Sequence, residues 1–327
     1  MHKISRSPSY LEILSLDIDG KLISQSYATG FFIRTADTIL LITNWHVVTG
    51  LDPAHPKDRP KGKGPPFFIK TTVVNKNNML TELSIPLYDS NFEPLWIEHE
   101  LGFEIDLAIY RLPIALEKYF HFTDIYSIED QLIIDEKVAN DIFIVGYPFS
   151  KQEFAQSFGA KAPYYLPIWK RGTIAFEPKL LLDGRLILID ALSRPGMSGS
   201  PVFLAQEDKV IYMNAASAAA FGSWKAGAIK AISGVDTSSF DSGRERRFRF
   251  VGVYSGTFGA TKLAEVALGK CWHVNTIVEA ILNGKQGNMP AHGPMSNAHY
   301  TKILKELSGR IIFRDRDGVL TDEIPLV

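Results

Sequence analysis

The sequence predicts an all-β fold, and three observations carry that prediction. Short runs rich in Ile, Val, Leu, Phe and Tyr recur at 11–16, 21–27, 30–34, 38–43, 67–74, 80–87, 107–112, 141–145, 169–176, 186–191, 201–204, 210–213 and 248–255. Such residues suit the pleated, half-buried surface of a strand. Gly, Pro, Asp or Asn separates many of the runs, where turns need them. Clear helical spacing is confined to 274–282, which starts beside Asn275 and stops at Asn283-Gly284, and to 298–307. Strands this short and numerous close into barrels or pack as sandwiches.

Taken in order, the first runs flank Asp17-Ile18-Asp19-Gly20, and Asp-Gly between β-like runs is a strong hairpin signal. This tetrad and Asp315-Arg316-Asp317-Gly318 also resemble the DxDG signature of haloacid-dehalogenase phosphatases. The first leads into strand-like rather than helical sequence, and the second lies too near the C-terminus for that fold, so both read as turns. Segment 51–66 holds five prolines and two glycines, which disfavour helix and central strand and make it a surface loop. Residues 114–136 read as a connector between two β units. From about Lys285 the chain becomes Gly/Pro/Asn/His-rich, then suggests a short helix and a hairpin. The expected division is 1–115, 116–285 and a C-terminal extension, 286–327.

With 327 residues, 46% hydrophobic and 22% charged, the chain is long enough for one large or two smaller cores. A net charge of −1 supplies no field for nucleic acid or an anionic membrane. Arg244-Glu245-Arg246-Arg247-Phe248-Arg249 is a local basic run, read as a solvated hairpin face. The single cysteine, Cys271, excludes an internal disulfide. No signal-peptide core and no apolar run of about 18 residues is present, so a cytoplasmic location is expected. The histidines show no metal-ligand spacing, so neither a metal nor another cofactor is expected.

The chemistry concentrates in three segments: Thr43-Asn44-Trp45-His46-Val47-Val48, Ile105-Asp106-Leu107-Ala108 and Gly196-Met197-Ser198-Gly199-Ser200-Pro201-Val202. A serine hydroxyl is a weak nucleophile until a base takes its proton, and histidine does this near neutral pH. A buried carboxylate fixes the imidazole tautomer, and backbone N–H groups meet the developing oxyanion. Ser198 between glycines suits the nucleophile, His46 the base and Asp106 the carboxylate. The Gly196 and Ser198 N–H groups suit the oxyanion hole. Each residue also has a plain structural reading as a turn or core residue; their order and their places at the edges of apolar runs favour chemistry. Asp190 and Ser200 are the fallback carboxylate and nucleophile.

These motifs, with Thr29-Gly30-Phe31-Phe32-Ile33, resemble chymotrypsin-fold (trypsin-like) serine peptidases, of the bacterial intracellular type without disulfides, over roughly residues 10 to 285. The resemblance implies two six-stranded antiparallel β-barrels, with His46 and Asp106 from the first and Ser198 from the second. It implies a polypeptide substrate pairing with the edge Tyr254-Ser255-Gly256-Thr257 and a specificity pocket walled by Leu192 and Ser193. Leu192 where trypsins carry an acid implies an apolar or small side chain at the cut. Zymogen-type members carry Asp immediately before the catalytic serine to pair with a new N-terminus. Met197 stands there instead, which removes that switch.

The expected function is therefore serine endopeptidase chemistry through an acyl-enzyme. The alternative is a catalytically silent or partner-gated binding or regulatory module on a protease fold, since fold does not establish activity. The extension 286–327 is expected either to dock a protein partner or to pack across a barrel as a strap.

Overall fold

The computed structural model describes residues 2–16, 22–58, 64–89, 91–129, 135–158, 165–191, 194–212, 241–258, 268–288, 310–314 and 320–325. The described strands pair antiparallel and form two barrel-like units. The first unit comprises β1 (Pro8–Leu16), β2 (Leu22–Arg34), β3 (Thr38–Thr43), β4 (Pro66–Asn75), β5 (Leu80–Pro86), β6 (Trp96–Glu98), β7 (Ala108–Pro113) and β8 (Phe120–His121). The second comprises β9 (Asp141–Gly146), β10 (Ile168–Ile174), β11 (Leu186–Asp190), β12 (Pro201–Tyr212), β13 (Asp241–Phe258) and β14 (Leu268–His273), which close in the order β10-β11-β14-β13-β12-β9. Among the described residues, four α-helices decorate the sheets: α1 (Trp45–Thr49), α2 (Ile125–Ile128), α3 (Lys151–Phe158) and α4 (Val274–Asn283). None is long and apolar enough to cross a membrane.

The first unit is a curled sheet rather than a barrel of six strands alone. Its strands run β6-β7-β3-β2-β1-β4-β5, and a hairpin joins β5 to β6 through Leu95 N–H to Leu87 O at 2.9 Å and a bridge between Tyr88 and Pro94. That hairpin links opposite ends of the order, so the sheet bends round on itself. The extension adds strands at both places. β15 (Lys285–Gln286) pairs with β6, and β16 (Arg310–Arg314), itself paired with β17 (Leu320–Pro325), pairs with the outer edge of β5. The described part of the extension is thus a strap on the first sheet. Both Asp-Gly segments lie outside the described residues, but the strands flanking each of them pair: the β1–β2 register runs to Leu16 opposite Leu22, and the β16–β17 register to Arg314 opposite Leu320.

Strand periodicity explains why the strands read as unbroken apolar runs. Side chains alternate across a sheet, and here both faces are covered. Ile39 and Leu41 of β3 face the interior of the first unit with Ala108, Tyr110 and Leu112 of β7. Leu40 and Ile42, with Ile109, face the second unit and meet Phe203, Phe250 and Val253 there. On β12, Val202 and Leu204 fill the closed barrel with Ile142 and Ile144, while Phe203 and Ala205 point back to the shared core. Three apolar layers result, and the joint between the units is itself a core.

Candidate functional site

The three candidate residues stand at the rim of that joint. β3 ends at Thr43, and the chain turns through Asn44 into the single turn of α1, which carries His46. Gly50, with φ +67°, stops the helix. Trp45 and Val48 are buried beneath it, so His46 is turned to the half-exposed side.

Asp106 lies just before β7, 1% exposed. Its Oδ1 accepts the His46 backbone N–H at 2.9 Å, and Oδ2 meets His46 Nδ1 at 2.7 Å. The Ser255 hydroxyl donates to the same Oδ2 at 2.5 Å, and Asn44 Nδ2 donates to the Asp106 backbone carbonyl at 2.7 Å. A carboxylate only accepts, so Nδ1 carries a proton, and in the neutral imidazole the lone pair is on Nε2. Burial opposes the Asp106 charge; the neighbouring His46 and the hydrogen bonds from His46 and Ser255 outweigh it and hold the carboxyl below its usual range.

Ser198 sits in a turn fastened to both units. Thr29 N–H of β2 donates to Ser198 O at 2.8 Å, and Gly199 N–H donates to Tyr254 O of β13 at 2.9 Å. Tyr254 N–H returns to Ser200 O at 2.8 Å. Because Tyr254 precedes Ser255, the serine turn and the Asp106 carboxylate hang from adjacent residues of one strand. Two glycines hold left-handed conformations, Gly196 at φ +90° and Gly199 at φ +80°. A Cβ on Gly199 would collide with Thr29 O and Thr43 Oγ1, and one on Gly196 with Tyr147 O and the Tyr27 ring. Only glycine fits both the backbone and the space.

Three amides of the turn are used within the protein. Met197 N–H bonds Arg194 O, Gly199 N–H bonds Tyr254 O and Ser200 N–H bonds Met197 O. Among the described residues no acceptor meets the Gly196 or Ser198 N–H. These are the two donors expected from the sequence to face an oxyanion. Met197 is buried in the closed barrel's core, so an apolar anchor occupies the place where zymogen-type chains put an ionic one.

The remaining expectations divide. Ser255 is buried and bonds Asp106, a role the sequence analysis did not assign to it. Tyr254, expected on the edge that pairs with a substrate, is fully buried, and its backbone N–H and C=O bond Ser200 O and Gly199 N–H. Gly256, with φ +83°, has open space where a Cβ would stand, and Thr257 is exposed. They form a bulge on β13, where the register against β14 shifts between Tyr254 and Thr257. Leu192 and Ser193 lie outside the described residues. Ser200 Oγ is buried close against Gly146, without a partner among the described residues. Asp190 is exposed at the end of β11 between β10 and β14, while Asp106 holds His46.

Among the described residues no group of three or more His, Cys, Asp or Glu converges as a metal site. A cavity of about 350 Å³ lies near the start of α4, where Glu136 pairs with Arg249 at 2.5 Å and His273 at 3.1 Å.

A family model described as a trypsin-like peptidase domain matches residues 28–211, more than half of the chain. That span contains His46, Asp106 and Ser198. Among solved structures, the chain is similar to one titled "Crystal structure of Rv3671c protease, inactive form", at 15% identity, with a TM-score of 0.36, covering 85% of this chain and 89% of that one. No curated protein matches it.

Proposed function

This chain belongs to the family of trypsin-like peptidase domains, and from that premise we propose that it is a serine endopeptidase working through an acyl-enzyme. His46 Nε2 takes the Ser198 proton as Oγ attacks the scissile carbonyl. The Gly196 and Ser198 N–H groups receive the oxyanion. The imidazolium, stabilised by the ionised Asp106, then protonates the leaving amine. Water enters, His46 takes its proton, and the acyl group is released from Ser198. The observation that carries this reading is the carboxylate–imidazole pair at 2.7 Å beside a serine turn with two amide donors that meet no acceptor among the described residues.

Substrate binding follows the same reading. An extended peptide would lie along Ser255-Gly256-Thr257, where β13 bulges and Gly256 faces open space. Tyr254 supports this edge from inside. Leu192 and Ser193 would wall the pocket for the side chain at the cut, favouring an apolar or small residue.

The test is labelling by a fluorophosphonate probe, native against Ser198→Ala, with thermal unfolding as the check on folding. Labelling that disappears in a folded Ser198→Ala variant supports the reading. A folded native chain that takes no label, and cleaves nothing in a broad peptide library, overturns it in favour of a silent or gated binding module.

A further inference from the structure

We infer that Thr29 is a positioning residue for the oxyanion turn, its hydroxyl doing by hydrogen bonding what an ionic anchor would do at position 197. The inference rests on the serine-peptidase reading above. Thr29 is fully buried, and every polar atom it has is engaged. Its N–H donates to Ser198 O at 2.8 Å. Its hydroxyl donates to Gly196 O at 2.8 Å and accepts the Tyr147 N–H at 3.0 Å. Its carbonyl accepts the Thr43 hydroxyl at 2.9 Å.

The pattern is selective. Gly196 and Ser198 are the two residues whose N–H groups are proposed to meet the oxyanion, and they are the two whose carbonyls Thr29 holds. A carbonyl shares its peptide plane with the next residue's N–H, so Thr29 holds the 196–197 and 198–199 planes; these two bracket the 197–198 plane that carries the Ser198 N–H, and the first adjoins, at Gly196, the plane that carries the Gly196 N–H. Gly196 needs that restraint most, because glycine alone explores both signs of φ. The hydroxyl also reaches across the joint: Thr29 is on the first unit, while Tyr147 follows β9 of the second. Thr43 carries the network on to the His46 segment, three residues further along. The base, the nucleophile turn and the second unit are thus registered on one side chain. The Met197 side chain, being apolar, contributes packing but no hydrogen bond to the turn.

The experiment compares Thr29→Ser, Thr29→Val and Thr29→Ala in the full chain, by kcat and KM on a peptide substrate and by the rate of fluorophosphonate labelling. Valine matches threonine in shape and keeps the Ser198 contact but has no hydroxyl, so the turn loses its hold on Gly196 O. Expected is a fall in kcat of about 100-fold, the scale of a small misplacement of catalytic groups. KM should change by less than about threefold, and Thr29→Ser should stay within about threefold of native. Alanine, with room for a bridging water, should fall between them and covers the case in which valine does not fold. Native-like kcat in folded Val or Ala variants overturns the inference, as does a Ser variant as slow as Val. Failure of both hydroxyl-free variants to fold would assign Thr29 to the fold alone and equally overturn it. If the native chain takes no label at all, the serine-peptidase reading fails first, and that result is distinct from a labelled native chain with indifferent Thr29 variants.

Discussion

Replacing Asp106 by Asn tests the proposed triad at the atom that the structure constrains most. Asp106 receives three donors: His46 N–H on Oδ1, and His46 Nδ1–H with the Ser255 hydroxyl on Oδ2. An asparagine has one oxygen and one NH2 for those two places. With oxygen at the Oδ1 place, the NH2 faces His46 Nδ1 and demands its lone pair. The imidazole proton then moves to Nε2, where it can no longer accept the Ser198 proton. Flipping the amide restores the useful tautomer but sets NH2 against the His46 backbone N–H, leaving a buried donor unpaired at about 1–3 kcal/mol. The imidazolium formed during reaction also loses a charge-assisted bond, another 1.5–3 kcal/mol or so. Together these raise the barrier by roughly 2.5–6 kcal/mol, which at about 1.36 kcal/mol per tenfold is roughly 10²–10⁴ in kcat. The assay is kcat and KM for native and Asp106→Asn on a chromogenic peptide, with fluorophosphonate labelling rates as a second measure. A folded variant that loses less than tenfold in kcat, or loses only in KM, would refute the argument.

Three further outcomes follow from the same geometry. Ser200→Ala should leave labelling and turnover within about threefold of native with unchanged or higher thermal stability, because the lost hydroxyl is buried without a partner among the described residues; loss of labelling would move the nucleophile to Ser200. Burial works against the Glu136 charge, but His273 and Arg249 hold its carboxyl below the usual range. Its folded value is thus below the unfolded one, near 4.3, so it adds stability above that pH and loses it as pH falls. Glu136→Gln should therefore lower the unfolding temperature at pH 7, with the gap to native closing towards pH 3; a gap that stays constant with pH counts against the pair. Truncation before Arg310 uncovers the β5 edge at Glu82, Leu83 and Ser84, and exposed edges recruit other chains. Lower thermal stability and concentration-dependent association in sedimentation velocity are expected, and a truncated chain identical to the full one would show the strap to be dispensable.

The strands that sequence reveals are those whose two faces are both apolar. Thr38–Thr43 reads as a strand because its alternate residues serve different cores. Strands built otherwise were illegible. β14 carries Gly269 and Lys270 among its six residues, and the middle of β12, between the runs 201–204 and 210–213, and the outer half of β13 are charged, joined by pairs such as Arg246–Glu207 at 3.2 Å. Runs 21–27 and 30–34 read as two strands across Gly30, but they are one. A Cβ at Gly30 would crowd Ile42 O and Leu11, so the glycine marks a close approach and not a break. The one-turn helix under His46 is too short to show a period, and the helical pattern at 298–307 falls outside the described residues. At the site, order and residue type pointed to His46, Asp106 and Ser198. Nothing in a period-2 apolar run distinguishes Ser255 from any strand residue, and its bond to Asp106 depends on a register 149 residues away.

The arrangement around Asp106 also bears on whether the fold is an enzyme or a silent module. A carboxylate buried to 1% exposure is costly unless fully paired, and an apolar side chain of similar volume is often at least as stable. Here the pairing is assembled from three separate segments, and the partner histidine stays half-exposed with its Nε2 unclaimed by the carboxylate. Two glycines give up side-chain packing to hold a turn in which two amide donors face no protein acceptor among the described residues. None of these features contributes to folding in proportion to its cost, and local choices that run against stability concentrate at functional sites. A module retained only for binding has no need of the imidazole tautomer or of free amides beside a serine. The joint presence of both argues for turnover.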